Sequence, residues 1–213
     1  MTATLLDRLY VAVIDGDAEG AVTVAKLALS AGAEPTELLF EAMIPALEEV
    51  GRRFESGEVF LPEMLVAARA MQAVMDLIRP LIVDAGVEKL GTFVIGTVAG
   101  DIHDVGKKLV IVMLEGAGFE VIDLGINVPA DEFVAAIRRH HPNVVGLSAF
   151  LTTTLPELAN TISAIEKAGL RDQVKILIGG APVTQLTVDH TGADGFAPDA
   201  SAAVRLTKAV MGL

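Results

Sequence analysis

The chain has no cysteine, no tryptophan and one tyrosine, and aromatic residues make up only 4% of its 213 positions. Without cysteine it can form no disulfide, offers no thiolate nucleophile and has no sulfur ligand for zinc or an iron–sulfur cluster. Basic residues are also scarce. Sixteen Lys and Arg against 28 Asp and Glu leave a formal net charge of −12, with a pI of about 4.7. That argues against nucleic acid as a partner, because its binding rests on Lys and Arg neutralising phosphates, and against anionic membrane surfaces. Neither half is basic: residues 1–89 carry 7 basic and 15 acidic side chains, and the remainder 9 and 13. The plainest consequence of the acidity is solubility. No apolar run reaches the roughly 18 residues that a membrane span needs. The start, Met1-Thr2-Ala3-Thr4-Leu5, lacks the basic region and cleavage site of a secretory signal, so a cytoplasmic location is expected. What is plentiful is apolar: 52% of residues are hydrophobic and mean hydropathy is +0.55, enough for a substantial core in one large or two modest domains.

Up to residue 86 no strand pattern is convincing. Leu5, Leu6, Leu9, Tyr10 and Val13 keep helical spacing, and Asp17 can cap a second helix through about Ser30, stopped by Gly32. Glu34-Pro35-Thr36-Glu37 opens a third helix, with Pro35 tolerated in its first turn. Pro45 lies inside that pattern and predicts a kink or break. A fourth helix is expected from about Pro62 to Val83, with Met64, Met71 and Met75 inward. Four helices with short turns read as an all-α four-helix bundle over residues 1–86, followed by a linker at 87–91. From Leu90 the texture changes. Strands are expected at Thr92–Val98, Glu120–Asp123, Val144–Ser148, Lys175–Ile178 and Gly195–Ala197, with helices near 105–117, 130–141, 155–169, 183–191 and 199–211. Five βα units predict an α/β flavodoxin-like (Rossmann-like) five-stranded parallel sheet over residues 92–213, covered on both faces.

The stretch from Gly96 to Lys107 concentrates the chemistry. A buried strand ends in a loop holding Asp101, His103 and two glycines, and a helix starts at once at Val105. His103 would stand at the carboxyl end of a parallel strand, where ligands bind in open α/β sheets. Asp101, two residues earlier, can accept from the far ring nitrogen and leave the other nitrogen for a metal. Two more loops converge on the same edge: Ser148 to Thr154, rich in hydroxyls, and Gly179-Gly180-Ala181-Pro182. Hydroxyls and paired glycines at strand ends suit a large polar ligand lying close to backbone. A zinc site built by protein alone wants about four ligands, and His140, His141 and His190 fall on expected helices. A single histidine backed by a carboxylate better suits one axial position of a metal held by a macrocycle. No nucleophile elbow, dinucleotide fingerprint or Walker sequence occurs. A plain structural histidine remains open, as does Asp101 as the phosphoryl acceptor of a receiver-like domain.

Asp101-x-His103-x-x-Gly106, with Ser148-x-Phe150 and Gly179-Gly180 following, resembles the signature of the cobalamin-binding module. The stretch from Phe54 to Met64 resembles the helical cap that precedes this module in methionine synthase and small corrinoid proteins. The match covers nearly the whole chain, which is similar to the stand-alone corrinoid proteins of methyltransferase systems using methylamines, methanol, betaines or methoxyaromatics. The resemblance implies cobalamin or a related corrinoid as cofactor, with methylcobalamin and cob(I)alamin in turnover. His103 would be the cobalt's lower axial ligand, Asp101 its hydrogen-bond acceptor and Thr154 the hydroxyl completing the relay. The cofactor's tail would thread past Gly106, in the loop of Ile102, Asp104 and Val105, and Ser148 and Thr152 would hydrogen-bond it. Gly179 and Gly180, beside Ala181, would let the nucleotide approach backbone, and Phe196, Ala197, Pro198 and Asp199 would close over its far end. Phe54 and Leu61, with Met64, would cover the methyl-bearing face. The family usually has leucine where this chain has Phe150.

By the same resemblance the chain would be a non-catalytic methyl carrier. It would work between a substrate-specific corrinoid methyltransferase and a second methyltransferase serving tetrahydrofolate, tetrahydromethanopterin or a thiol, with a reductive activase as a further partner. Donor selectivity would lie on the first of these partners, and the segment near 85–90 would hinge the cap. Two competing readings are a cobalamin-dependent sensor, which typically adds a DNA-binding domain, and a mutase small subunit, which normally lacks the helical cap.

Overall fold

The computed structural model describes residues 2–84 and 89–213. The chain divides into two compact units, Met1–Glu88 and Lys89–Leu213. The start of the linker expected at 87–91, and most of the hinge expected near 85–90, lie outside the described residues. Leu90 and Gly91 already bond within the second unit: Leu90 N–H donates to Gly118 O at 3.0 Å and Gly91 O accepts from Glu120 N–H at 2.9 Å. Among the described residues no helix is long and apolar enough to cross a membrane.

The first unit is helical. Helix α1 (Thr2–Ile14) buries Leu6, Leu9 and Val13, one face at three- and four-residue spacing. Asp17 caps α2 (Ala18–Ser30), its carboxylate accepting from Gly20 N–H at 2.9 Å. The buried side of α2 is Ala21, Val24, Ala25 and Ala28, small enough to let neighbouring helices approach closely. A capping box between Glu34 and Glu37 opens a short turn, α3 (Pro35–Glu37). The break expected at Pro45 takes another form. The chain widens into a π-helical turn, Leu38–Met43, and α4 (Ile44–Glu55) restarts with Pro45 in its first turn. Proline has no N–H to donate there and its ring crowds the carbonyl four residues back, so a wider turn upstream removes the conflict.

Helix α5 (Leu61–Asp84) carries Pro80 inside it. Met64, Ala67, Met71, Val74 and Ile78 form its buried stripe. Met64, expected beside Phe54 and Leu61 over the cofactor, lies in this stripe. It is 2% exposed, because it begins the stripe by which α5 packs into the bundle. Leu61, by contrast, is exposed and Phe54 is half-buried.

The second unit is the five-stranded parallel sheet, with order β2-β1-β3-β4-β5. The strands are β1 (Thr92–Thr97), β2 (Glu120–Asp123), β3 (Val144–Ser148), β4 (Lys175–Gly179) and β5 (Gly195–Ala197). Between them run α6 (Val105–Gly116), α7 (Ala130–His140), α8 (Leu155–Lys167) and α9 (Gln185–Thr191), and α10 (Ala200–Met211) follows β5. On one face α7 and α8 pack Phe133, Ile137, Leu158 and Ile162 against Val145, Leu147, Ile176 and Ile178. Helices α6 and α10 pack together on the other. Burial of each such side chain is worth about 1.5–3 kcal/mol, so this core fixes the sheet on which the loops are mounted. The strand order reverses between β1 and β3, the kind of switch point at which open α/β sheets bind their ligands.

Candidate functional site

Thr97, Ser148, Gly179 and Ala197 are the last residues of β1, β3, β4 and β5, and the register places them in one row across the sheet. The loops expected to converge therefore do so. After β1 the chain turns at Gly100 and folds Asp101 inward, where it is 0% exposed. Its Oδ1 accepts from the His103 backbone N–H at 3.0 Å and lies 2.8 Å from His103 Nδ1. Its Oδ2 accepts from the N–H groups of Phe150 at 2.7 Å and Leu151 at 3.2 Å, and from the Thr154 hydroxyl at 2.8 Å. One carboxylate thus ties the loop after β1 to the loop after β3. Thr154 Oγ1 is also 2.9 Å from Leu151 O, so its single proton can turn between two acceptors.

Burial alone pushes the Asp101 carboxyl up. The N–H donations from His103 and Phe150, with the His103 and Thr154 side-chain bonds, outweigh it and hold the group well below the usual carboxylate range. The unfolded chain takes up this proton near pH 4, whereas the folded chain refuses it until lower pH. The stabilisation is complete above that value and is lost as pH falls through the folded one. Denaturation midpoints should drop from about pH 5 downward, and an Asp101→Asn protein should lack part of that slope. Equal slopes in the two proteins would contradict the assignment.

An ionised Asp101 requires Nδ1 to carry the ring proton, which leaves Nε2 of the neutral imidazole with its lone pair. Nε2 has no hydrogen-bond partner among the described residues, and the side chain is 42% exposed. The Phe150 ring stacks on the imidazole at 4.4 Å between centroids. The loops after β1, β2 and β3 expose Ile102, Val105, Ile126, Phe150 and Leu151 at the carboxyl edge, apolar surface of the kind a macrocycle's face would cover. Over Gly106 nothing lies within 4 Å of where a side chain would begin. Among the described residues no cluster of three or more His, Cys, Asp or Glu could hold a metal ion. The donor set is one nitrogen, so a metal here must bring its remaining ligands with it. The site fits a corrinoid in these respects. It does not fit a phosphoryl acceptor, since Asp101 is sealed and both its oxygens are taken.

The other expected residues divide. Ser148 is half-buried and Thr152 exposed, and neither hydroxyl makes a hydrogen bond among the described residues, so both can serve a ligand. Asp104 is engaged by Lys108 at 2.6 Å, and this bond lowers its carboxyl. Gly179 has room for a side chain, whereas Gly180 is pressed against Ala149 O. Ala181 and Pro198 are exposed and Ala197 is half-buried. Phe196 packs against the core beneath the sheet, and Asp199 caps α10 by accepting from Ala202 N–H at 2.7 Å. Those two are already employed by the fold.

Three residues that sequence reasoning passed over support the pair. The buried Thr97 hydroxyl donates to His103 O at 3.1 Å. Asn127, with φ of 52°, accepts from Gly100 N–H at 2.7 Å through its side chain and donates its own N–H to Asp101 O at 2.9 Å. Lys107, its side chain 1% exposed, pairs with Asp123 at the end of β2 and anchors the first turn of α6.

Residues 91–205 match the B12 binding domain family, and residues 5–79 match a second family, also described as a B12 binding domain. Trimethylamine corrinoid protein 1 of Methanosarcina acetivorans is 43% identical over 202 residues, 94% of each chain. The crystal structure of a cobalamin-binding protein from Desulfitobacterium hafniense DCB-2 has 33% identity and a TM-score of 0.78, covering 96% of this chain and 97% of that one. The methanol:cobalamin methyltransferase complex of Methanosarcina barkeri contains a chain with 27% identity and a TM-score of 0.84, covering 98% of this chain and 80% of that one. With both B12 binding domain families matched and a corrinoid protein 43% identical over 94% of this chain, the chain belongs to the B12-binding corrinoid proteins, and its cofactor is a corrinoid.

Proposed function

We propose that this chain carries a methyl group on a corrinoid between two methyltransferases in the cytoplasm. One of them would be specific for a methylated donor of the methylamine or methanol kind, and the other would pass the methyl on to a pterin or a thiol. A reductive activase would serve as a further partner. The observation that carries the reading is the Asp101–His103 pair at the sheet edge, with no partner for Nε2 among the described residues and the His103 side chain 42% exposed. When bound, the corrinoid supplies a cobalt centre able to accept and release the methyl group. The chain's own residues do the rest. His103 would hold the corrinoid's cobalt through Nε2, and Asp101 would hold the tautomer in which that nitrogen has its lone pair. Thr154 would turn its hydroxyl toward or away from Asp101 Oδ2 and so modulate the pair. Ser148 and Thr152 would hydrogen-bond the cofactor's tail, and the opening over Gly106 would admit it. Relatives named for trimethylamine, and a neighbour from a methanol:cobalamin methyltransferase complex, support this class of partner.

The test is binding of hydroxocobalamin to the full chain, followed by the absorption spectrum after free cofactor is removed. Wild type should retain it with a histidine-ligated spectrum, and His103→Ala should not give that spectrum. Methyl transfer from methylcobalamin-loaded protein to a thiol acceptor with its methyltransferase should fail in His103→Ala. Gly106→Leu separates fold from site. Replacing a helical glycine by a good helix former should leave stability unchanged or raise it by about 0.5–1 kcal/mol. Filling the opening should weaken retention by about tenfold or more. Wild-type retention in that variant would rule out entry past Gly106.

A further inference from the structure

Phe150 reaches the Asp101–His103 pair twice. Its backbone N–H donates to Asp101 Oδ2 at 2.7 Å, and its ring lies on the imidazole with centroids 4.4 Å apart and planes 29° apart. Apart from that stack, the imidazole is held at Nδ1 alone, by one hydrogen bond. The ring can still turn about its Cβ–Cγ bond within the play that one hydrogen bond allows, since that terminal torsion is broad. Turning would swing Nε2, on the far side of the ring, off its line. A stacked neighbour removes that freedom. The contact is not a core contact, because the His103 side chain is 42% exposed and Phe150 is 49% exposed. What it contributes is direction more than stability.

We propose that Phe150 is a positioning residue for His103: its ring fixes the plane of the imidazole and so aims Nε2 at the axial position before the corrinoid arrives. This rests on the reading of His103 as the axial ligand. It is specific to an aromatic side chain at position 150. Leucine there keeps the apolar volume and the backbone bond to Asp101 but has no flat face to lay on the ring. An offset aromatic pair adds a contribution beyond area burial that corresponds to a factor of about three to ten in binding.

The experiment compares full-length wild type with Phe150→Leu and Phe150→Tyr, and with His103→Ala as the ligand control. In the cofactor-free proteins, the His103 ring protons should be displaced upfield by the Phe150 ring current. They should return toward ordinary positions in Phe150→Leu and stay displaced in Phe150→Tyr. With hydroxocobalamin, Phe150→Leu should bind about three- to tenfold more weakly and yield its histidine ligation to lower concentrations of added imidazole. Phe150→Tyr should restore both, and all three should remain folded and unfold cooperatively in urea. Unmoved His103 resonances in a folded Phe150→Leu protein, or unchanged affinity with unchanged imidazole competition, would overturn the proposal. If His103→Ala and wild type give the same corrinoid spectrum, the axial-ligand reading falls instead, and the cofactor-free resonances still decide whether Phe150 orients the ring.

Discussion

Asp101→Asn is expected to lower stability by about 3 kcal/mol and to weaken histidine ligation, although the amide is nearly the size of the carboxylate. The carboxylate meets only donors: two groups of His103 at Oδ1, and Phe150, Leu151 and Thr154 at Oδ2. An amide has one acceptor oxygen and one donor nitrogen. Its oxygen will take the side with two backbone N–H groups, because neither can turn away. Its NH2 then faces the His103 N–H, which is left without an acceptor at a cost of about 1–3 kcal/mol. The ring has an escape. Nδ1 can shed its proton and accept from the amide, and the proton moves to Nε2, the nitrogen proposed to bind cobalt. Loss of a carboxylate that orients a ligating histidine typically costs about 10- to 100-fold in metal affinity. Urea denaturation reads the first effect, and the absorption spectrum of the hydroxocobalamin complex reads the second. It should move from the wild-type form toward that of His103→Ala. An Asn protein with the wild-type spectrum would mean that Asp101 does not set the tautomer.

Much of this site was legible because its parts lie at strand ends, and strand ends are easy to find. Buried runs such as Phe93 to Val98 and Val144 to Leu147 alternate with helices, and their last residues fall in register once the sheet is parallel. The pair itself is local, two residues apart, so its hydrogen bond followed from spacing. What escaped depends on contacts between distant segments. Asn127 lies 26 positions beyond Asp101, and the β1–β2 pairing is what brings it under Gly100. Its mark in the sequence was a residue tolerant of positive φ just before Val128-Pro129. Thr97 read as one more member of an apolar run, because a hydroxyl inside a strand does not announce its acceptor. Lys107 sat where a solvated base is ordinary, and only Asp123 on the neighbouring strand explains its burial. The π turn before Pro45 was hidden for a related reason, since proline predicts that the helix must give way but packing decides how.

Gly180→Ala is expected to do more damage than any other one-methyl change in the second unit, and for a reason different from the one its motif suggests. Gly179 and Gly180 read together as a place where a nucleotide approaches backbone. The structure separates them. A Cβ on Gly179 would sit 3.5 Å from Ala197 O, an ordinary contact. A Cβ on Gly180 would fall 1.8 Å from Ala149 O, and its φ of +130° is one that residues with side chains rarely adopt. Neither partner is a flexible side-chain end, so the loop after β4 must withdraw from the loop after β3. Withdrawal breaks the local bonds of both segments, Ala149 N–H to Gly179 O and Val183 N–H to Gly180 O. The expected loss is about 3 kcal/mol or more, against about 1 kcal/mol or less for Gly179→Ala. Ala149 immediately precedes Phe150, which holds Asp101 by its N–H and His103 by its ring. Gly180→Ala should therefore also shift the His103 resonances in whatever fraction folds, while Gly179→Ala should leave them in place. Equal urea midpoints for the two alanine variants would mean that the two loops do not meet at Gly180, and the stitching of the site across β3 and β4 would have to be redrawn.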